Sequence, residues 1–329
     1  MRRRSSAALA SCLALLAFTV AGCGDDDDGD GGGGEGAEGA KITLVQGVKG
    51  DEFYITMGCG AQEAARKAGV DLDITGPDEF AADAQIPVLN GVAAKSPDAI
   101  LIAPTDTKAL FAPIQQAAET GAKIILVDTT LENPDVAESQ IASDNLEGGR
   151  LAGEALIELI GGEGKVMVEN VNPGISTTDQ RQQGFEEAIE GQPGIEYLGT
   201  QFHDDEPANA ASQVKAQLAK DPDLKGIFAT NLFGSEGAAN GLREAGKLGD
   251  VKLVGFDAGP AQVEQLEEGL VQALIAQKPA DIGRQGVEQA VNAIEGRPVK
   301  EKITTGYVTI ERDQLEDPKV QQALYKPSC

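Results

Sequence analysis

Two hydrophobic periods alternate along the chain from Lys41 to Ile310. Short β-branched and aliphatic runs come first: ITLV (42–45), AILIA (99–103), IILV (124–127), KVMV (165–168), GIFA (226–229), VKLVGF (251–256) and ALIA (273–276). Between them lie amphipathic stretches of helical length, including Tyr54 to Ala68, Thr107 to Thr120, Leu146 to Ile160, Thr178 to Glu190, Ala208 to Leu218, Gly234 to Ala245, Ala261 to Glu268 and Ile282 to Ile294. A strand without polar alternation is buried on both faces, and strands joined through helices run parallel. The pattern therefore predicts an α/β fold of parallel sheets covered by helices on either side.

The pattern is also duplicated. DAILIAPTDTKALFAPIQQAAETGAKIILVD ends at Asp128, KGIFATNLFGSEGAANGLREAGKLGDVKLVGFD ends at Asp257, and KITLV at 41 is answered by KVMVE at 165. Two similar α/β units imply two lobes. Open parallel sheets bind ligands at the carboxyl ends of their strands. Asp128 and Asp257 stand at equivalent strand ends, one per unit, so both are placed to face a crevice between lobes. The plainer reading is that each only caps the turn that follows it.

The beginning of the chain has a different logic. Arg2, Arg3 and Arg4 precede an apolar run from Ala7 to Val20, too short to cross ~30 Å of hydrocarbon and shaped like an export signal. Val20, Ala21, Gly22 and Cys23 resemble the lipobox of bacterial lipoproteins, in which residues 1–22 are removed and Cys23 becomes acylated. Several acyl chains on one residue suffice for stable anchoring. The mature chain is then expected outside the cytoplasmic membrane, periplasmic or at the cell surface. The acidic, glycine-rich segment 23–40 reads as a disordered spacer. Asp26, Asp28, Asp30 and Gly31 match the first half of a calcium loop, but Ala37 stands where a bidentate carboxylate is needed.

The formal charge is −26, and −29 once the three arginines of residues 1–22 are removed, which argues against nucleic acid or an anionic membrane surface as partner. The 289 residues from Lys41 onward are enough for two medium-sized lobes with real cores. Catalytic constellations are lacking. His203 has no metal-ligand spacing, no GxSxG or phosphate-binding loop occurs, GCG at 58–60 falls within a helix, and Asp204, Asp205 and Glu206 read as a solvated turn. The chain is not expected to be an enzyme or to need a cofactor or metal.

LVQGVKGDEFYITMGCGAQEAARKAG, APTD (103–106), ILVD (125–128), IASDN (141–145), RQQGF (181–185), ATN (229–231), VGFD (254–257) and IAQ (275–277) resemble, in order, the type I periplasmic sugar-binding proteins, the ribose-binding protein among them. The resemblance runs from about Lys41 to Ile310. It implies a two-lobed fold, each lobe a parallel sheet flanked by helices, with one ligand held in the cleft and presented to the permease of an ABC importer. Its lobes would be 41–143 plus 278–306 and 144–277 plus 307–313, followed by a tail, 314–329. It implies a monomer and a monosaccharide or polyol as ligand.

Residue by residue, the resemblance implies that Phe53 and Tyr54 stack on a sugar face and that Asp128 and Asp257 each accept from neighbouring hydroxyls. Arg181 would donate to ring and hydroxyl oxygens, Asn231 and Gln277 would supply amides, and Phe256 would stand before the second aspartate. The chain departs from the ribose binder at Gly47, Asp51, Thr129 and Asp205, where a serine, an asparagine, an arginine and a phenylalanine are expected. Losing a cation and an aromatic while gaining acids leaves the ligand open: another monosaccharide, a polyol or a cationic solute. A sensor subunit for a membrane receptor is the alternative to transport. A sugar-responsive repressor shares the fold but would need a DNA-binding segment and a basic face. Cys59 in the first helix and Cys329 on the tail form an even pair in an exported chain, which suggests a disulfide between them; two free thiols are the alternative.

Overall fold

The computed structural model describes residues 36–329. The export signal expected at 1–22, the acylation expected at Cys23 and most of the acidic spacer lie outside the described residues. Within the described part, Ala37 is buried and its amide donates to Glu295 Oε1 at 3.0 Å. The spacer reading therefore extended too far: its last residues are held against the protein by a backbone hydrogen bond.

The elements in chain order are β1 (Lys41–Val45), α1 (Glu52–Ala68), β2 (Asp71–Thr75), α2 (Ala82–Ala93), β3 (Ala99–Ile102), α3 (Phe111–Ala118), β4 (Lys123–Val127) and β5 (Ser139–Ser143). They continue with α4 (Asn145–Ile160), β6 (Gly164–Asn170), α5 (Ser176–Ile189), β7 (Ile195–Phe202), α6 (Pro207–Lys220), β8 (Leu224–Ala229), α7 (Leu232–Glu244) and β9 (Lys252–Phe256). The last are α8 (Pro260–Glu267), β10 (Ala273–Ala276), α9 (Pro279–Ile294), β11 (Lys302–Thr305), β12 (Val308–Glu311) and α10 (Pro318–Gln321).

These strands build two six-stranded sheets, ordered β2-β1-β3-β4-β5-β11 and β7-β6-β8-β9-β10-β12. Every pair in the first sheet is parallel, and in the second only β12 runs antiparallel, against β10. The chain passes from one sheet to the other between β5 and β6, between β10 and β11, and between β11 and β12. Two parallel α/β lobes follow from this topology, as the duplicated pattern predicts.

The central strands are apolar throughout because both their faces are covered. Along β4, Ile125 and Val127 join the core that includes residues of α1 and α9, while Ile124 and Leu126 join the core under α2 and α3. In the second sheet Val166 and Val168 of β6 meet residues of α4 and α5, and Met167 points the other way.

Helix-to-helix approach is set by glycine. A Cβ on Gly149 of α4 would lie 1.9 Å from the Arg181 carbonyl oxygen, and one on Gly184 of α5 would lie 2.0 Å from that of Leu146. Gly60 of α1 and Gly283 of α9 repeat the contact in the other lobe, against the carbonyl oxygens of Ala280 and Met57 at 2.0 and 1.9 Å. The crossing on α5 falls beside Arg181, so close backbone packing fixes where that side chain starts.

Candidate functional site

The site forms where the carboxyl ends of both sheets meet. Asp128 follows β4 directly and Asp257 follows β9, and both adopt left-handed backbone, with φ of 64° and 78°. A non-glycine residue in this region turns the chain sharply at a steric cost, which aspartate tolerates better than most. Both carboxylates line one cavity. Left-handed backbone also occurs at Ser96, Asp204 and Asp205 among the described residues, and Asp128, Asp205 and Asp257 all face this volume.

Lobe 1 also supplies the start of α1. Asp51 caps that helix, accepting from the Phe53 amide at 2.7 Å. The cap holds Phe53 and Tyr54 in the first turn, edge to face with centroids 5.1 Å apart. The Tyr54 hydroxyl donates to Asp128 Oδ2 at 2.7 Å.

Arg181 reaches the cavity from α5. Its Nε donates to Asn145 Oδ1 and its Nη1 to the Thr230 carbonyl, each at 2.9 Å, and its Cζ lies 3.9 Å from the centroid of the Phe256 ring. Two hydrogen bonds and a stacked face leave the other N–H groups of the guanidinium fork for the cavity. Asn231 caps α7 through Gly234, and its amide donates to Asp205 Oδ1 at 2.7 Å. Gln277 Nε2 donates to Asp257 Oδ1, also at 2.7 Å.

Of the residues singled out in the sequence, Asp51, Phe53, Tyr54, Asp128, Arg181, Asp205, Asn231, Asp257 and Gln277 line the cavity. Asp205 is therefore part of a wall rather than of a solvated turn. Phe256 is fully buried and lies behind Arg181 as its platform. Thr129 is buried beside Asp128 without forming part of the lining. His203, read as a loop residue, has no exposed surface; burial holds it neutral, its pKa shifted down to about 4. The lining also includes Phe80, Val171, Ile175, Thr177 and Thr178. A signal for the two threonines existed, since STT opens the helix that carries Arg181.

Four carboxylates around one guanidinium define the electrostatics. Burial pushes Asp128 up to about 6 against the pull of Arg181 and the Tyr54 hydroxyl. It does the same to Asp205, to about 6, against the Asn231 amide. Asp51 is held well above the usual carboxylate range by burial and then by Asp257 and Asp205, and Asp257 is raised by burial while Arg181, Gln277 and Tyr325 oppose the shift. A ligand that donates several hydrogen bonds relieves this arrangement by replacing lost water with directed donors. Among the described residues no group of three or more His, Cys, Asp and Glu side chains is arranged to hold a metal ion.

A family profile for the periplasmic binding protein domain matches residues 42–298. The chain belongs to this family, in its type I sugar-binding branch. It is 30% identical over 261 residues to the ribose import binding protein of Salmonella typhimurium, covering 79% of this chain and 87% of that one. A solute-binding protein of an ABC transporter from Agrobacterium vitis, bound with α-D-tagatopyranose, superposes with a TM-score of 0.86 at 44% identity, covering 87% of this chain and 99% of that one. A carbohydrate transporter solute-binding protein from Agrobacterium radiobacter, in complex with D-arabinose, gives a TM-score of 0.83 at 26% identity over 87% and 99% of the two chains. These relatives are transport proteins that bind sugars, not enzymes.

Proposed function

We propose that this chain is the extracytoplasmic solute-binding subunit of an ABC importer and that its ligand is a monosaccharide or related polyol. The observation that carries the reading is the pair Asp128 and Asp257: two strained, buried carboxylates from equivalent strand ends, facing one cavity together with Arg181 and the Phe53–Tyr54 pair. Aromatic faces suit the C–H surface of a sugar ring, carboxylates its vicinal hydroxyls, and a guanidinium its ring oxygen. Asp51, Asp205, Asn231 and Gln277 would complete the ligand shell, with Phe256 supporting Arg181.

The lobes would comprise 41–143 with 278–306 and 144–277 with 307–313, acting as a monomer that delivers the sugar to a permease. Cys23 would carry the lipid anchor that keeps it at the membrane. Detergent partitioning with mass analysis of the N-terminus tests the anchor: mature wild type enters the detergent phase acylated on Cys23, Cys23→Ala is unprocessed or released, and a water-soluble mature form beginning elsewhere would contradict it.

The excess of acid in the cavity favours a second reading, a cationic solute. A thermal-shift screen over D-tagatose, D-arabinose, D-ribose, polyols and polyamines separates the two. A sugar that raises the melting temperature supports the first reading, and a response to polyamines alone supports the second.

A further inference from the structure

The segment after β12 does more than end the fold. Leu315, Val320 and Ala323 are buried, and the chain then runs past the site: the Tyr325 amide donates to the Ala258 carbonyl at 3.0 Å, and the Lys326 amide to Thr56 Oγ1 of α1 at 2.7 Å. Three residues later Cys329 is joined to Cys59 of α1 by a disulfide. The segment therefore touches the residue after Asp257 on one side and the first helix on the other.

Tyr325 is the centre of this crossing. It is buried, its ring meets Phe53 edge on at 6.0 Å, and its hydroxyl makes two hydrogen bonds. It accepts from the Gln277 amide at 3.0 Å and donates to Asp257 Oδ1 at 2.9 Å. The Gln277 side chain donates to that same Oδ1. Both side-chain donors thus converge on one carboxylate oxygen, Oδ1. The φ of 78° at Asp257 puts its side chain on a strained turn, where held orientation matters most.

We infer that Tyr325 is a positioning residue of the binding site, orienting Asp257 toward the ligand, and that the Cys59–Cys329 bond holds Tyr325 there. The inference rests on the cavity being the ligand site. It assigns the segment 312–329 a role in affinity, carried by a hydroxyl that lies behind the cavity wall.

The consequence for pH follows from what faces Asp257. Arg181 from α5 favours its ionised form, while Asp51, Asp128 and Asp205 disfavour it. The Tyr325 hydroxyl, the Gln277 side-chain amide and the Leu232 backbone N–H act with Arg181, and the neutral Tyr307 hydroxyl also faces Asp257. Removing it lets Asp257 take up a proton at higher pH, so binding that needs the carboxylate fails earlier on acidification.

Tyr325→Phe keeps the ring against Phe53 and removes only the donor. Titration calorimetry with D-tagatose from pH 5 to 8 should show affinity reduced about ten-fold at pH 7.5 and the acidic fall-off moved to higher pH. Cys59→Ser/Cys329→Ser should also bind more weakly, and adding Tyr325→Phe to it should cost clearly less than in wild type. In parallel, the Asp257 carboxyl is titrated by 13C NMR without ligand, in wild type and Tyr325→Phe. A higher pKa in the variant supports the contact even if D-tagatose fails to bind wild type, a failure that bears on the choice of sugar alone. An unchanged Asp257 titration overturns the inference, as does wild-type D-tagatose affinity with an unmoved acidic fall-off.

Discussion

Asp257 and Arg181 face the same cavity from neighbouring elements of one lobe, and each is bonded on its protein side. Truncating either leaves a buried partner without its hydrogen bond: Asp257→Ala strands the Gln277 and Tyr325 donors, and Arg181→Ala strands the Thr230 carbonyl and leaves Asn145 Oδ1 only the longer bond from the Tyr307 hydroxyl. Each should weaken sugar binding by about 2 to 4 kcal/mol in calorimetry. A buried acid away from the cavity makes a separate prediction. Glu169 on β6 has no exposed surface and no hydrogen-bond partner on either carboxylate oxygen, and burial raises it from 4.5 to about 8. A group raised in the folded state contributes stability that is complete below its unfolded pKa and lost as pH rises through the folded one. Wild type should therefore lose stability between about pH 4.5 and 8 from this group. Urea unfolding at several pH values should show Glu169→Gln lacking that decline, and at pH 8 more stable by a few kcal/mol. His203 acts oppositely, its share present above 6.5 and lost as pH falls through about 4. In the sequence KVMVE reads only as a strand with a polar end, because a carboxylate's burial depends on helices packed over it from elsewhere. Tyr325 was illegible for the same reason: nothing in LYKPSC marks a hydroxyl that meets Asp257, 68 residues away.

At the scale of elements, the strands legible as continuous apolar runs, β1, β3, β4, β6, β8, β9 and β10, are the inner strands of the two sheets. The strands that the period reading passed over are β2, β7, β11 and β12, which form the four sheet edges, and β5, which adjoins one of them. An edge strand is covered less completely, so polar residues interrupt it, as in DLDIT; SQIAS, beside an edge, alternates between buried and half-buried residues. Helix α2 escaped because Pro87 and Asn90-Gly91 break its periodicity, although Gln85 within it is fully buried and bonds the Gln46 and Ala103 carbonyls. The α4–α5 crossing gives an element-level test. Gly184→Ala puts a methyl group 2.0 Å from the Leu146 carbonyl oxygen, which only separation of the two helices relieves. Overpacking of this kind should lower stability by about 1 to 3 kcal/mol, read as a lower urea midpoint at unchanged slope. Arg181 lies one turn away, so sugar affinity should fall with it.

The described residues form two α/β lobes with a polar cavity walled by residues of both and a disulfide-held segment crossing beside it. The two-lobed class was legible because the echo ending at Asp128 and Asp257 repeats a whole supersecondary unit. The ligand was not, since hydroxyl patterns are read by side-chain directions that no spacing encodes. The Cys59–Cys329 bond closes a loop of sequence separation 270. Crosslinks that close long loops restrict the unfolded chain most, so Cys59→Ser/Cys329→Ser should lose about 3 to 5 kcal/mol of stability in urea unfolding. The central claim is that the cavity takes one monosaccharide. Its most direct test is calorimetric titration of D-tagatose, D-arabinose and D-ribose into protein freed of bound solute by unfolding and refolding with the disulfide intact. At least one of these sugars should bind with a stoichiometry of one and a saturable heat. No heat from any of them, with saturable binding of a polyamine instead, would contradict the account.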